Sequence, residues 1–147
     1  MRPHYWDASA LVPLCVAEST SPDLRRLAAG SAIVTWCLSA VEIASAIERR
    51  AREGALGSNA RALALRNLSE LSASWTEITA LETVRERALR LLATHTLRAA
   101  DALQLAAALL AAGDRPARYG FVCGDARLRQ AARREGFQPV GFLTLGG

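Results

Sequence analysis

The sequence predicts an α/β domain in which a parallel sheet is covered by helices on both faces. Two observations carry that expectation. Short apolar runs of strand type alternate with longer stretches of helical spacing along the whole chain. Hydrophobic residues make up 51% of it, with much alanine and leucine and only 5% aromatics, which favours packed helices over a β-sandwich. A length of 147 residues suits one domain, residues 1–147, with a full core. No internal repeat or low-complexity linker divides it.

The elements follow in order. His4–Trp6 is the first expected strand, and at Asp7 it gives way to a helical run over Ala8–Ala17. Pro22–Ala29 completes a broken first pair of helices, and Ala32–Thr35 is the second strand. The helix Ser39–Glu53 follows, and its run "REGALG" signals a helix end. Asn59–Ala73 is helical in spacing and leads to a third strand, Thr76–Ile78. Leu81–His95 and Arg98–Ala112 are further helices, the second closed by "AGDRP". Gly120–Cys123 is the fourth strand. The helix Asp125–Glu135 then runs to Gly136, a glycine placed for the left-handed residue that ends helices. Pro139–Phe142 is the last strand.

Charge narrows the chemistry. The formal net charge is +4, and every one of the 18 basic residues is arginine. Without lysine there is no P-loop, no Schiff base and no receiver-domain lysine. The guanidinium surplus suits a partner that carries phosphates, although solvated arginines are common for solubility alone. No stretch approaches ~20 uncharged apolar residues, so no transmembrane span is expected. The N-terminus lacks the pattern of a signal peptide, which points to the cytoplasm. Cys15, Cys37 and Cys123 are odd in number and lie in apolar contexts. Buried thiols in a reducing compartment fit them better than disulfides or a zinc site.

Acidic residues then become informative. In open parallel sheets, ligands bind beyond the carboxyl ends of the strands. Asp7 follows the first strand directly, Glu42 lies in the first turn after the second, and Asp125 follows the fourth after one glycine. Each has a local explanation. Asp7 and Asp125 can cap the helices they precede. The "SAVE" run is a capping box, with Ser39 as cap and Glu42 reaching back to its amide. Asp101 differs, being a carboxylate in the apolar run "LRAADALQLAAALLAA". It needs a partner there, either Arg98 at helical spacing or a metal. Several carboxylates near one another repel, and a hard divalent cation such as Mg²⁺ or Mn²⁺ relieves the conflict. Such a centre on a basic scaffold suggests phosphodiester cleavage.

Four runs carry a family resemblance: "YWDASALVPLCVAE", "LSAVEIASAIERR", "LRAADALQLAAALL" and "FVCGDARLRQAARREGF". In this order and spacing they resemble the successive motifs of PIN-domain ribonucleases, and within them the bacterial VapC toxins of type II toxin–antitoxin modules. The resemblance covers residues 4 to about 142. It implies a three-layer α/β/α sandwich around a parallel sheet. It also implies that Asp7, Glu42, Asp101 and Asp125 are the catalytic, metal-binding acids. Ser9 matches a small hydroxyl residue that hydrogen-bonds beside the first acid, and Arg98 a basic residue before the third. The implied activity is RNA cleavage by metal-activated water, leaving a 5′-phosphate and a 3′-hydroxyl. The implied partners are an RNA substrate, a cognate antitoxin and a second copy of the chain.

This sequence departs from the pattern where Cys123 stands in place of a Thr or Ser two residues before the fourth acid, and where a basic residue near Pro13 is missing. The alternative to an enzyme is a catalytically silent module of the same fold that binds nucleic acid or serves assembly. Cys123 leans towards it, and retention of all four acids against it. A phosphatase with an aspartyl nucleophile is excluded, because Ser9 stands where its second Asp belongs. His4 and His95 have no partner at ligand spacing, and Trp6, Trp36 and Trp75 neighbour strands and are expected to pack. The groups Arg49–Arg50–Arg52 and Arg127–Arg129–Arg133–Arg134 read as solvated faces, or, for the second, as a guide for RNA.

Overall fold

A computed structural model describes residues 2–141. Five strands form one all-parallel sheet: β1 (Arg2–Trp6), β2 (Ser31–Trp36), β3 (Thr76–Ile78), β4 (Gly120–Val122) and β5 (Gln138–Val140). Their spatial order is β3-β2-β1-β4-β5. Seven helices are described: α1 (Ala8–Cys15), α2 (Ser21–Ala29), α3 (Ser39–Arg52), α4 (Ser58–Ser74), α5 (Leu81–Thr94), α6 (Ala99–Ala111) and α7 (Ala126–Arg134). A 3₁₀ turn at Pro116–Arg118, which the sequence did not suggest, leads into β4. Every expected element is present within two residues of its expected ends, apart from Phe142, which lies outside the described residues.

Alternation along the strands builds the three layers. Tyr5, Val34, Trp36 and Phe121 point into one core with Val84 and Leu91 of α5, Leu105 of α6 and Leu128 of α7. Their neighbours Trp6 and Val122 point the other way, to Leu11 of α1, Leu24 of α2, Ile43 and Ile47 of α3 and Leu68 of α4. A period of two therefore feeds both faces of a sheet that is covered twice. Trp6, Trp36 and Trp75 are all buried, as packing residues should be.

Local chemistry sets the helix ends. Gly54, Gly113 and Gly136 all have positive φ just past α3, α6 and α7. At Gly136 (φ +102°) the amide donates to Arg133, and that of Phe137 to Ala132, closing the last turn. α1 ends at Cys15, two residues sooner than its spacing suggested. The Ser21 hydroxyl donates to the Pro13 carbonyl (2.7 Å) and the Asn67 amide to that of Cys15 (3.0 Å), so side chains take over its last carbonyls. On β4, Gly120 faces His4 of β1, whose imidazole leaves no room for a Cβ there. His4 thus packs the sheet at the end remote from the acids.

Candidate active site

The strand order reverses between β1 and β4, and Asp7 and Asp125 follow those two strands. This is the switch point at which open α/β sheets bind ligands. Glu42 reaches the same edge from the first turn of α3, and Asp101 from the first turn of α6.

Asp7 is a cap and more than a cap. Its carboxylate accepts from the Ser9 amide (3.1 Å) at the start of α1 and from the Ser9 hydroxyl. The Cys123 thiol donates to the same oxygen at 3.6 Å, and the Asp7 amide donates to Val122 across the sheet. The residue is only 4% exposed. Burial pushes its carboxyl up to about 6, the Asp101 charge adds to the rise, and the Ser9 and Cys123 bonds oppose it.

Glu42 is raised to about 7, again first by burial and further by Asp7 and Asp101, against a hydrogen bond from Gln104. The expected capping box does not form. Leu38 occupies the cap position without a side-chain bond, and Ser39 begins the helix itself. The physical reason is burial. Ser39 is fully buried, and a buried hydroxyl must find partners wherever they lie. It takes them from Thr35 (2.6 Å) and Gln104 (3.0 Å) rather than from its own helix end. Glu42 is turned away in the same manner, towards the Gln104 amide at 2.9 Å.

Gln104 is the residue that sequence reasoning missed. It is fully buried in α6, one turn after Asp101, and its amide is saturated. Tyr5 donates to its Oε1 (2.6 Å), while its Nε2 donates to Ser39 and to Glu42. Thr35 gives its proton to the Trp6 carbonyl (2.7 Å), so Ser39 must donate to Thr35 and accept from Gln104. One chain of bonds with a fixed direction therefore links β1, β2, α3 and α6. The available signal was a lone amide in an otherwise apolar run, three residues from an acid.

The other two acids are held differently. Asp101 is raised by burial and by the Asp125 charge, while the Arg98 guanidinium and backbone amide pull it down. Arg98 is exposed, and among the described residues it forms no ion pair with Asp101. Of the two partners the sequence offered Asp101, Arg98 therefore acts through its field and its backbone amide rather than as a salt bridge. Asp125 caps α7, its Oδ1 accepting from Leu128 at 2.9 Å, and its amide donates to the Cys123 sulfur at 3.3 Å. Cys123 is fully buried and sits between Asp7, Ser9 and Asp125, where a hydroxyl was expected. Its thiol is pushed far above its ordinary value by burial and by Asp7, so it stays protonated and donates. All three cysteines are free thiols.

Asp7, Glu42 and Asp101 thus feel one another's charge, and Asp101 feels that of Asp125. Among the described residues no three His, Cys, Asp or Glu side chains close around a single point. The donor set still fits a hard cation by its chemistry. It consists of oxygens only, the Asp7, Glu42 and Asp101 carboxyls are raised by burial and by neighbouring charge, and Mg²⁺-like ions need few protein ligands when they keep waters and share a substrate phosphate.

The fold is a three-layer α/β/α sandwich with acids at the switch point of its parallel sheet. The PIN domain family model matches residues 5–134, and the chain belongs to the PIN domain family. Members of this family are generally metal-dependent nucleases. None of the curated proteins matches the chain. Among the described residues no helix is long and apolar enough to cross a membrane.

Proposed function

We propose that this chain is an endoribonuclease that hydrolyses RNA phosphodiester bonds with Mg²⁺ or Mn²⁺, and that it acts as the VapC-type toxin of a toxin–antitoxin pair. The observation that carries the reading is the electrostatic coupling of Asp7, Glu42 and Asp101, with Asp101 coupled in turn to Asp125, at one edge of an arginine-rich fold. A divalent cation, when bound, supplies Lewis acidity and an activated water.

The chain's own residues divide the remaining work. Asp7 and Glu42 would help hold such a cation, whose charge would offset the burial and repulsion that raise both carboxyls. Ser9 and Cys123 hold the Asp7 carboxylate, and Gln104 holds that of Glu42, so both stay aimed without help from the ligand. Asp101 and Asp125 complete the acidic edge, Asp101 in the first turn of α6 and Asp125 capping α7. Cytoplasmic residence, a cognate antitoxin and a homodimer belong to the same reading, supported by the four sequence motifs.

A second reading, a silent module that binds nucleic acid, is favoured by Cys123, which stands beside Asp7 where a hydroxyl was expected. One pair of measurements separates the two. On the first reading, millimolar Mn²⁺ or Mg²⁺ raises the melting temperature of the wild type but not of Asp7→Asn, and RNA is cleaved only with metal. Expression without a partner arrests growth, and Asp7→Ala relieves it. RNA binding with neither metal shift nor cleavage would leave the silent module standing.

A further inference from the structure

The arginine group of α7 is split by the fold. Arg129 turns back to the acids, its guanidinium donating to the Cys123 carbonyl at 3.3 Å. Arg127 and Arg134 instead line a cleft of about 270 Å³ between α7 and the segment that follows α5, together with His95, Thr96, Gln130 and Ala131. Positions 127, 130, 131 and 134 lie on one helical face, and seven residues of helix separate the two arginines by about 10 Å.

Both arginines are exposed, and among the described residues neither guanidinium forms an ion pair or a hydrogen bond. The acid next to Arg134, Glu135, is already engaged by His95, Nε2 to Oε2 at 2.7 Å, and the acid nearest Arg127, Asp125, caps α7 through Leu128. The His95 side chain is 5% exposed, and its Nδ1 has no partner. The wall is therefore polar, cationic and unsatisfied by the protein itself. Its helix begins at Asp125, two residues before Arg127.

We propose that this cleft binds the phosphodiester backbone of a single RNA strand as it leaves the acidic edge, with Arg127 and Arg134 each taking a phosphate. Guanidinium forks match phosphate oxygens, and Thr96 and Gln130 add neutral hydrogen-bonding groups between them. The inference rests on the nuclease reading for the identity of the strand. Binding is separable from cleavage, and the test uses that.

Fluorescence anisotropy of a short single-stranded RNA in chelator reads binding by the full chain without turnover. Arg127→Gln/Arg134→Gln should weaken it by about tenfold, and the slope of log K against log salt should become shallower by about 1.4, two phosphate contacts at about 0.7 each. A charge-matched control, Arg52→Gln/Arg66→Gln, removes two exposed arginines from α3 and α4 and should retain most of the affinity and the full slope. Equal losses in the two double variants would overturn the proposal, since net charge alone would then explain them. Saturable binding of inorganic phosphate lost in the cleft variant, with RNA affinity unchanged, would also overturn it and leave a free-anion site. A wild type that binds RNA through this cleft but never cleaves it with metal would refute the nuclease reading and leave the cleft intact.

Discussion

Asp7 and Glu42 are bound into the fold by side chains distant in sequence, whereas Asp101 and Asp125 are served only by their own helices. Cys123 reaches Asp7 from 116 residues away, and Gln104 reaches Glu42 from 62. Asp125 by contrast caps the helix it begins, and the arginine three residues before Asp101 stays in solvent. Asp7 and Glu42 are thus fixed from afar, whereas among the described residues no distant side chain holds Asp101 or Asp125, although burial raises the Asp101 carboxyl as well. Rigid ligands with outer support hold a cation in place, while an open side admits a bulky phosphate chain.

The largest expected effect breaks the rigid half. Asp7→Asn should lower metal-dependent RNA cleavage by about a hundredfold, and Asp125→Asn by about tenfold, the range seen when metal-site support is disturbed. Asn caps a helix about as well as Asp, so at pH ~4, where the raised carboxyls are still protonated, metal-free stability should stay within roughly 1 kcal/mol in both. Denaturant unfolding in chelator, beside a cleavage assay, measures the two quantities. Equal and small activity losses would erase the distinction between the halves.

Gln104→Leu removes the joint of the network without adding charge. It strands the Tyr5 hydroxyl and takes a partner from Ser39 and from Glu42. Unpaired buried groups cost about 1–3 kcal/mol each, so a loss of roughly 2–4 kcal/mol is expected in urea unfolding. A loss below roughly 1 kcal/mol would mean that water or relaxation replaces the bonds.

The pH dependence sharpens the contrast further. Asp7 and Glu42 have native pKa values above those of the unfolded chain, so the native state keeps protons that the unfolded state has lost. Their contribution is full below pH ~4 and disappears as pH rises through about 6 and 7, which lowers metal-free stability over that window. Asp7→Asn should therefore gain on the wild type by roughly 1–3 kcal/mol between pH 4 and 7 in chelator. Parallel stability curves would show that Asp7 is not held above its ordinary range.

The smallest effect lies at the seam between the halves. Cys123→Thr restores a hydroxyl beside Asp7 in place of a weakly donating thiol, and cleavage should be unchanged or modestly higher. A large loss of cleavage in folded Cys123→Thr protein would show that the buried thiol is required as it stands.

The apolar periods, two along β1 and β2 and helical along α3 and α6, were enough to predict the layers, because each strand sends neighbouring residues to opposite faces wherever it sits. Caps such as Asp7 on Ser9 and Asp125 on Leu128 were equally readable, since donor and acceptor lie within three residues. The four acids were identifiable as a set from position and motif. Their mutual repulsion was expected, but which pairs feel one another was not, because the sequence does not state that β1 lies between β2 and β4. Ser39 belonged locally to a capping box, yet burial beside Thr35 and Gln104 gave it other partners. Gln104 and the division of the α7 arginines were likewise decided by tertiary structure. Satisfying a buried polar group and sharing a field between charges depend on which distant residues the packed core brings within reach, and sequence separation carries no record of that distance.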